Sequence, residues 1–147
     1  MILIGGAFFF LQFSTPYVVG TDPYYHAQVS LLGRDLLSRQ FPWTQKSLFA
    51  EHFADKEFLF HIVLAPFVWA GGLTGAKVAT VVFATMAVGA FYWLCQKRNV
   101  PAPFLWTVFL FASADLFLYR LSITRPHILS LFLTLLFCQV LLERRMW

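Results

Sequence analysis

Charge is what this sequence has least of. Only 12% of its 147 residues are Asp, Glu, Lys or Arg, against roughly 25% in a soluble domain. Cysteine is scarce as well. Cys95 and Cys138 both lie inside apolar runs; neither is spaced like a metal ligand or a secreted-type disulfide, so they read as packing residues. There is no phosphate-cradling glycine loop, no zinc spacing, no nucleophile elbow and no internal repeat, which excludes the enzyme and solenoid classes built on those devices. No basic segment precedes the first apolar run and no small-residue cleavage site follows it, so that run reads as an anchor rather than a cleaved signal peptide. The net charge is +4, but the basic residues form no single patch, and nucleic acid is not the expected partner.

What is abundant is apolar surface. Hydrophobic residues make up 59% of the chain, with 18 Phe and 5 Trp, and the mean hydropathy is +0.68. A soluble core of this size cannot hide so much, so lipid is expected to solvate part of it. Four runs approach the about 17–25 residues that a spanning helix needs: 1–19, 77–95, 102–119 and 127–142. A fifth run, 58-FLFHIVLAPFVWAGGL-73, contains His61 and Pro66, with Asp55 as its candidate N-cap and Gly71-Gly72 at its end. The basic residues decide how to treat it. If it lies at the interface, Lys97, Arg98, Arg144 and Arg145 fall in short segments on one side, as the positive-inside rule requires. If it spans, Arg98 and Arg145 part company. The expectation is therefore an all-α membrane protein in one domain over residues 1–147. It has about four transmembrane helices and a large outer loop, 20–76, carrying amphipathic and interfacial helices. The expected location is the plasma (inner) membrane, with 20–76 and 120–127 on the outer face, where all four histidines (26, 52, 61 and 127) would then lie.

The outer loop opens with 20-GTDPYYHAQVSLLGRDLLSRQF-41. Thr21 or Asp22 can N-cap a helix that begins with Pro23. Leu31, Leu32, Leu36 and Leu37 then form an apolar stripe opposite Ser30, Arg34, Asp35 and Ser38, suiting a helix on a membrane surface. Asp22 has two readings. One is the cap alone. In the other, a carboxylate at the membrane boundary accepts a proton from an attacking hydroxyl or amine, or holds a divalent cation that neutralises a phosphate leaving group. Tyr24, Tyr25 and His26 add hydroxyl and imidazole groups beside it.

TDPYYHAQ, just after the first apolar run, resembles the first acidic motif of the GT-C superfamily of membrane glycosyltransferases, and most nearly the pattern of oligosaccharyltransferase catalytic subunits. The stretch 52-HFADKEFLFHIVLAPFVWAGGLTGAKVATVVF-83 is similar to the matching region of the superfamily's polyprenyl-phosphate-sugar transferases, an outer interfacial helix leading through a glycine corner into a membrane helix. The resemblance extends to 119-YRLSITRPHILS-130, where the family commonly carries a second acidic motif. Here that place reads Thr124-Arg125-Pro126-His127, without an acid.

The resemblance implies sugar transfer from a polyprenyl-phosphate or polyprenyl-diphosphate donor to an acceptor on the outer face. Asp22 would be the general base or a ligand for Mg or Mn, and the chain would be the N-terminal part of a larger module. The missing acid puts a two-carboxylate metal site in question. Arg125 and His127 can instead grip the donor phosphate, Arg through its bidentate fork. Glu51 and His52 are further candidate substrate contacts, though solvation of a loop explains them equally. Arg120 and Arg125 can also simply meet lipid phosphates. Asp115, inside the third run, is expected to find a local partner in Arg120 or Tyr119, and His61 to be a packed, hydrogen-bonded side chain. Two rival readings are a non-catalytic small membrane subunit and a transporter fragment. The sequence leaves the oligomeric state open.

Overall fold

A computed structural model describes residues 1–33 and 54–144. All regular structure among them is helical: α1 (Ile2–Phe13), α2 (Asp22–Leu31), α3 (Phe58–Lys97), α4 (Pro103–Ala112), α5 (Asp115–Ser122) and α6 (Pro126–Arg144). Glu51 and His52, and the expected stripe positions Leu36 and Leu37, lie outside the described residues.

Two helices, Phe58–Lys97 and Pro126–Glu143, are long and apolar enough to cross a membrane. Four continuous spans do not form. The first run yields only the 12 residues of α1, which rise about 18 Å against a hydrocarbon core of about 30 Å. Ser14, whose hydroxyl donates to the Leu11 carbonyl, and Pro16 end it. The third run is broken at Ser113–Ala114, where Ala114 is extended (φ −162°). The pieces on either side, α4 and α5, bend by 85°. Ser113-Ala114-Asp115 is the polar interruption in that run, and Asp115 sits exposed in the first turn of α5, where a carboxylate suits the helix dipole.

α3 is 40 residues long but not straight. Gly71 (φ −151°, ψ 15°) and Gly72 (φ 56°, ψ −132°) leave helical geometry. In a straight helix Phe60 and Phe83 would stand about 34 Å apart; their ring centroids are 6.3 Å apart, and those of Phe67 and Phe83 5.8 Å. The first part of α3 therefore folds back on the second at the glycine pair. The turn is so tight that a Cβ on Gly75 would meet the Phe67 carbonyl. The glycine corner expected from the sequence is thus present.

α3 is the hub. Its second half presents small buried residues (Ala76, Ala79, Ala84 and Ala87) around Phe83 and Val88, against Phe8 of α1, Leu121 of α5 and Ile128 of α6. In lipid, close packing of small residues supplies what water exclusion cannot. The outside is apolar: Phe10, Leu59, Phe109 and Phe137 are each more than half exposed. Such a surface is rare on soluble monomers. On α6 the hydroxyls of Ser130 and Thr134 bond back to the carbonyls of Pro126 and Ser130 in their own helix. At its C-terminal end Glu143 pairs with Lys97, and Arg98 donates to the Gln139 side chain at 3.2 Å. Its 19 residues rise about 28 Å, close to a bilayer core.

Candidate functional site

The other end of α6 holds the candidate site. It is reached by a segment that carries its own polar clamps. Gln12 of α1 donates to the Ser122 carbonyl at 2.5 Å, and the buried hydroxyls of Thr80 and Thr124 share a hydrogen bond at 2.5 Å. Buried Lys77 donates to the Thr15 carbonyl at 2.6 Å and lies over the Phe13 ring. The first two contacts fix Ser122 and Thr124 against α1 and α3, and the Lys77 contacts fix the end of α1 to α3. His127 donates from Nε2 to the Arg120 carbonyl at 2.7 Å, which leaves its Nδ1 as the acceptor nitrogen in the neutral ring.

α2 supplies the opposite wall. Thr21, not Asp22, is its N-cap residue, and no side chain caps it. Freed of that role, the Asp22 carboxylate forms an ion pair with Arg125, both side chains being about one-third exposed. Arg125 Nε is buried and finds no acceptor among the described residues. One turn along α2, on the same face, comes His26, which is buried.

α3 supplies the third wall. Its N-cap residue is Glu57, not Asp55. The Asp55 carboxylate receives the Glu57 backbone N–H at 3.0 Å through Oδ1, and through Oδ2 stands 2.5 Å from His61 Nδ1. Because an ionised carboxylate can only accept, His61 donates from Nδ1. Its Nε2 then accepts from His26 Nδ1 at 2.9 Å. The Glu57 carboxylate lies 3.6 Å from that same His26 nitrogen. The packed, hydrogen-bonded role expected of His61 is what its wholly buried ring has. Burial pushes His26 down to about 4; the neighbouring His61 adds to this, as do Lys56 and His127, while Asp55 opposes it. Burial, with the nearby charges of Asp55 and Glu57, raises the Tyr25 hydroxyl.

Together these walls enclose an open cavity of about 730 Å³. Of the residues singled out in the sequence, Asp22, Tyr25, His26, Arg125 and His127 line it. Tyr24, exposed, does not. Lys56, Glu57, Arg120 and Ser130 line it as well and were not assigned to the site from sequence. The available signal was spacing: Glu57 and His61 are four apart, like Asp22 and His26, and share a helix face. Chemically the cavity sets three cationic groups, Lys56, Arg120 and Arg125, against two carboxylates, Asp22 and Glu57, a surplus of one positive charge that suits an oxyanion. Comparison with protein-family models, with curated proteins and with solved structures finds no match.

Proposed function

We propose that this chain is part of a membrane-embedded glycosyltransferase that takes a sugar from a polyprenyl-phosphate-linked donor, the class its sequence motifs resemble. The observation that carries the reading is the cavity in which Asp22 meets Arg125, at one end of an apolar helix of about bilayer length. The donor's prenyl chain lies along the exposed apolar faces of the helices. Its phosphate enters beside Arg125, whose unmet Nε–H and forked guanidinium suit phosphate oxygens, with Arg120, Lys56 and His127 around it.

An incoming phosphate competes with Asp22 for Arg125. Once displaced, the carboxylate is free to accept the proton of an acceptor hydroxyl as it attacks the anomeric carbon. The bond from that carbon to the phosphate oxygen breaks, and polyprenyl phosphate leaves. In this reading the cavity opens on the outer face, the first part of α3 lies at the interface and its second part spans the plasma membrane. A transporter would need a polar path through the membrane, and Asp115, the acid inside the third apolar run, is exposed at the start of α5. The small-subunit reading remains as the outcome in which the cavity takes no donor.

The test is photocrosslinking in native membranes with a polyprenyl phosphate that carries a diazirine near its phosphate. Labelled peptides from 20–33 or 120–130 that are lost in Arg125→Ala support the reading. Labelling confined to other helices, or unchanged in Arg125→Ala, contradicts it.

A further inference from the structure

In the cavity wall and just behind it, three side chains bring metal-ligating atoms close together. His26 and His61 are 3% and 0% exposed. One ring nitrogen from each histidine and a Glu57 carboxylate oxygen all lie within 4.8 Å of one another. The separations from His26 Nδ1 are 2.9 Å to His61 Nε2 and 3.6 Å to Glu57 Oε2. A tetrahedral zinc ion, with bonds of roughly 2.0–2.2 Å, holds neighbouring donor atoms about 3.3–3.6 Å apart, which the Glu57 separation meets and the His61 separation falls short of by a few tenths of an ångström. A few tenths of an ångström of side-chain motion would seat the ion.

We infer that His26, Glu57 and His61 form a binding site for a divalent transition-metal ion of the zinc class, with Asp55 as the group that orients His61. Three features besides distance favour it. First, the Asp55 carboxylate receives the His61 Nδ1–H at 2.5 Å, which turns the lone pair of Nε2 inward. This carboxylate–histidine–metal arrangement is the usual support of a metal-bound imidazole. Second, the charges close: two carboxylates, Glu57 and Asp55, balance a 2+ ion held by two neutral imidazoles, the ion replacing the His26–His61 hydrogen bond as the His26 proton moves from Nδ1 to Nε2. Without an ion, Glu57 faces the buried rings at 3.6 Å, too far for a hydrogen bond. Third, the site has an open side. His26 and Glu57 line the cavity and His61 does not, so a fourth position faces the space where a water or an oxyanion can bind. Two imidazoles, one carboxylate and an open position are the donor set of catalytic zinc sites. Two nitrogen donors select zinc-like ions over Mg²⁺, which takes oxygen. Asp22 lies outside this group and is engaged by Arg125.

The inference does not depend on sugar transfer, and its readout is metal content. The chain is purified in detergent, stripped with chelator, dialysed, and titrated with Zn²⁺ and separately with Mg²⁺ by calorimetry. X-ray absorption is measured on the zinc-loaded wild type. One equivalent of Zn²⁺ is expected to bind, with two imidazole nitrogens in its shell, and Mg²⁺ is expected not to compete. His61→Ala and His26→Ala should abolish binding, and Asp55→Asn should weaken it about 10–100-fold. Failure of wild type to bind zinc, a shell without two imidazoles, or full binding in a His26→Ala/His61→Ala double variant overturns the inference. Because the wild-type spectrum alone can do so, misfolding of a variant does not shield it.

Discussion

Asp22 and Arg125 come from distant parts of the chain and meet as an ion pair about one-third exposed on each side. Such a pair contributes little to stability, about 0.2–1 kcal/mol. Arg125→Ala and Asp22→Ala should therefore each lower the unfolding free energy by under about 1 kcal/mol, read by thermal or denaturant unfolding in detergent. A loss several times larger would mean that the pair holds the loop in place rather than serving a ligand. His26 makes a pH prediction. Its folded pKa, about 4, lies below the usual 6.5, so between those values the unfolded chain binds the extra proton first. With chelator present, the His26 contribution should be flat above about pH 6.5 and stability should fall as pH drops toward 4. His26→Gln should flatten that slope. The groups facing His26 are His61, Asp55, Glu57, Lys56 and His127, and Asp55→Asn is the control for the carboxylate share. At this scale the sequence was informative where residues cluster locally, as in Asp22-Pro23-Tyr24-Tyr25-His26. It gave Glu57 no role and offered Arg120 only as a lipid-phosphate contact or a partner of Asp115, because their position at the cavity depends on a helix returning to the same place.

Among the elements, α3 makes the sharpest claim. Gly72 has φ 56° with ψ −132°, a region nearly closed to residues with a Cβ. Gly72→Ala should destabilise the fold by about 1–3 kcal/mol. Gly71→Ala, at φ −151° with no neighbour within 4 Å, should cost less. Equal tolerance at both positions would mean that the chain does not turn there. The corner was legible because paired glycines after a long apolar run have few other uses. The break in the third run was not, because no Gly or Pro marks it and the apolar pattern resumes directly after the short polar interruption Ser113-Ala114-Asp115. The first run misled because apolar Tyr17, Val18 and Val19 follow it closely, yet Ser14 and Pro16 stop the helix at Phe13.

As a whole molecule, the protein sets two polar ends on an apolar body. The α6 end near Arg98 and Gln139 is held by side-chain hydrogen bonds, and the other end holds the cavity. Single-cysteine labelling in sealed vesicles should place Lys56 and Asn99 on opposite sides of the membrane. Labelling from the same side would overturn the proposed orientation of α3. Helix content and membrane character followed from composition. The meeting of α2, α3 and α6 at one cavity did not, since it depends on long-range packing that periodicity does not encode. The most direct test of the central claim is the rate at which membranes bearing the gene product consume a radiolabelled polyprenyl-phosphate-linked sugar, wild type against Asp22→Asn. A carboxylate base is worth about 10²–10⁴ in rate, so the account predicts a loss of at least about a hundredfold with crosslinking to the donor retained. Equal consumption by the two proteins would contradict it.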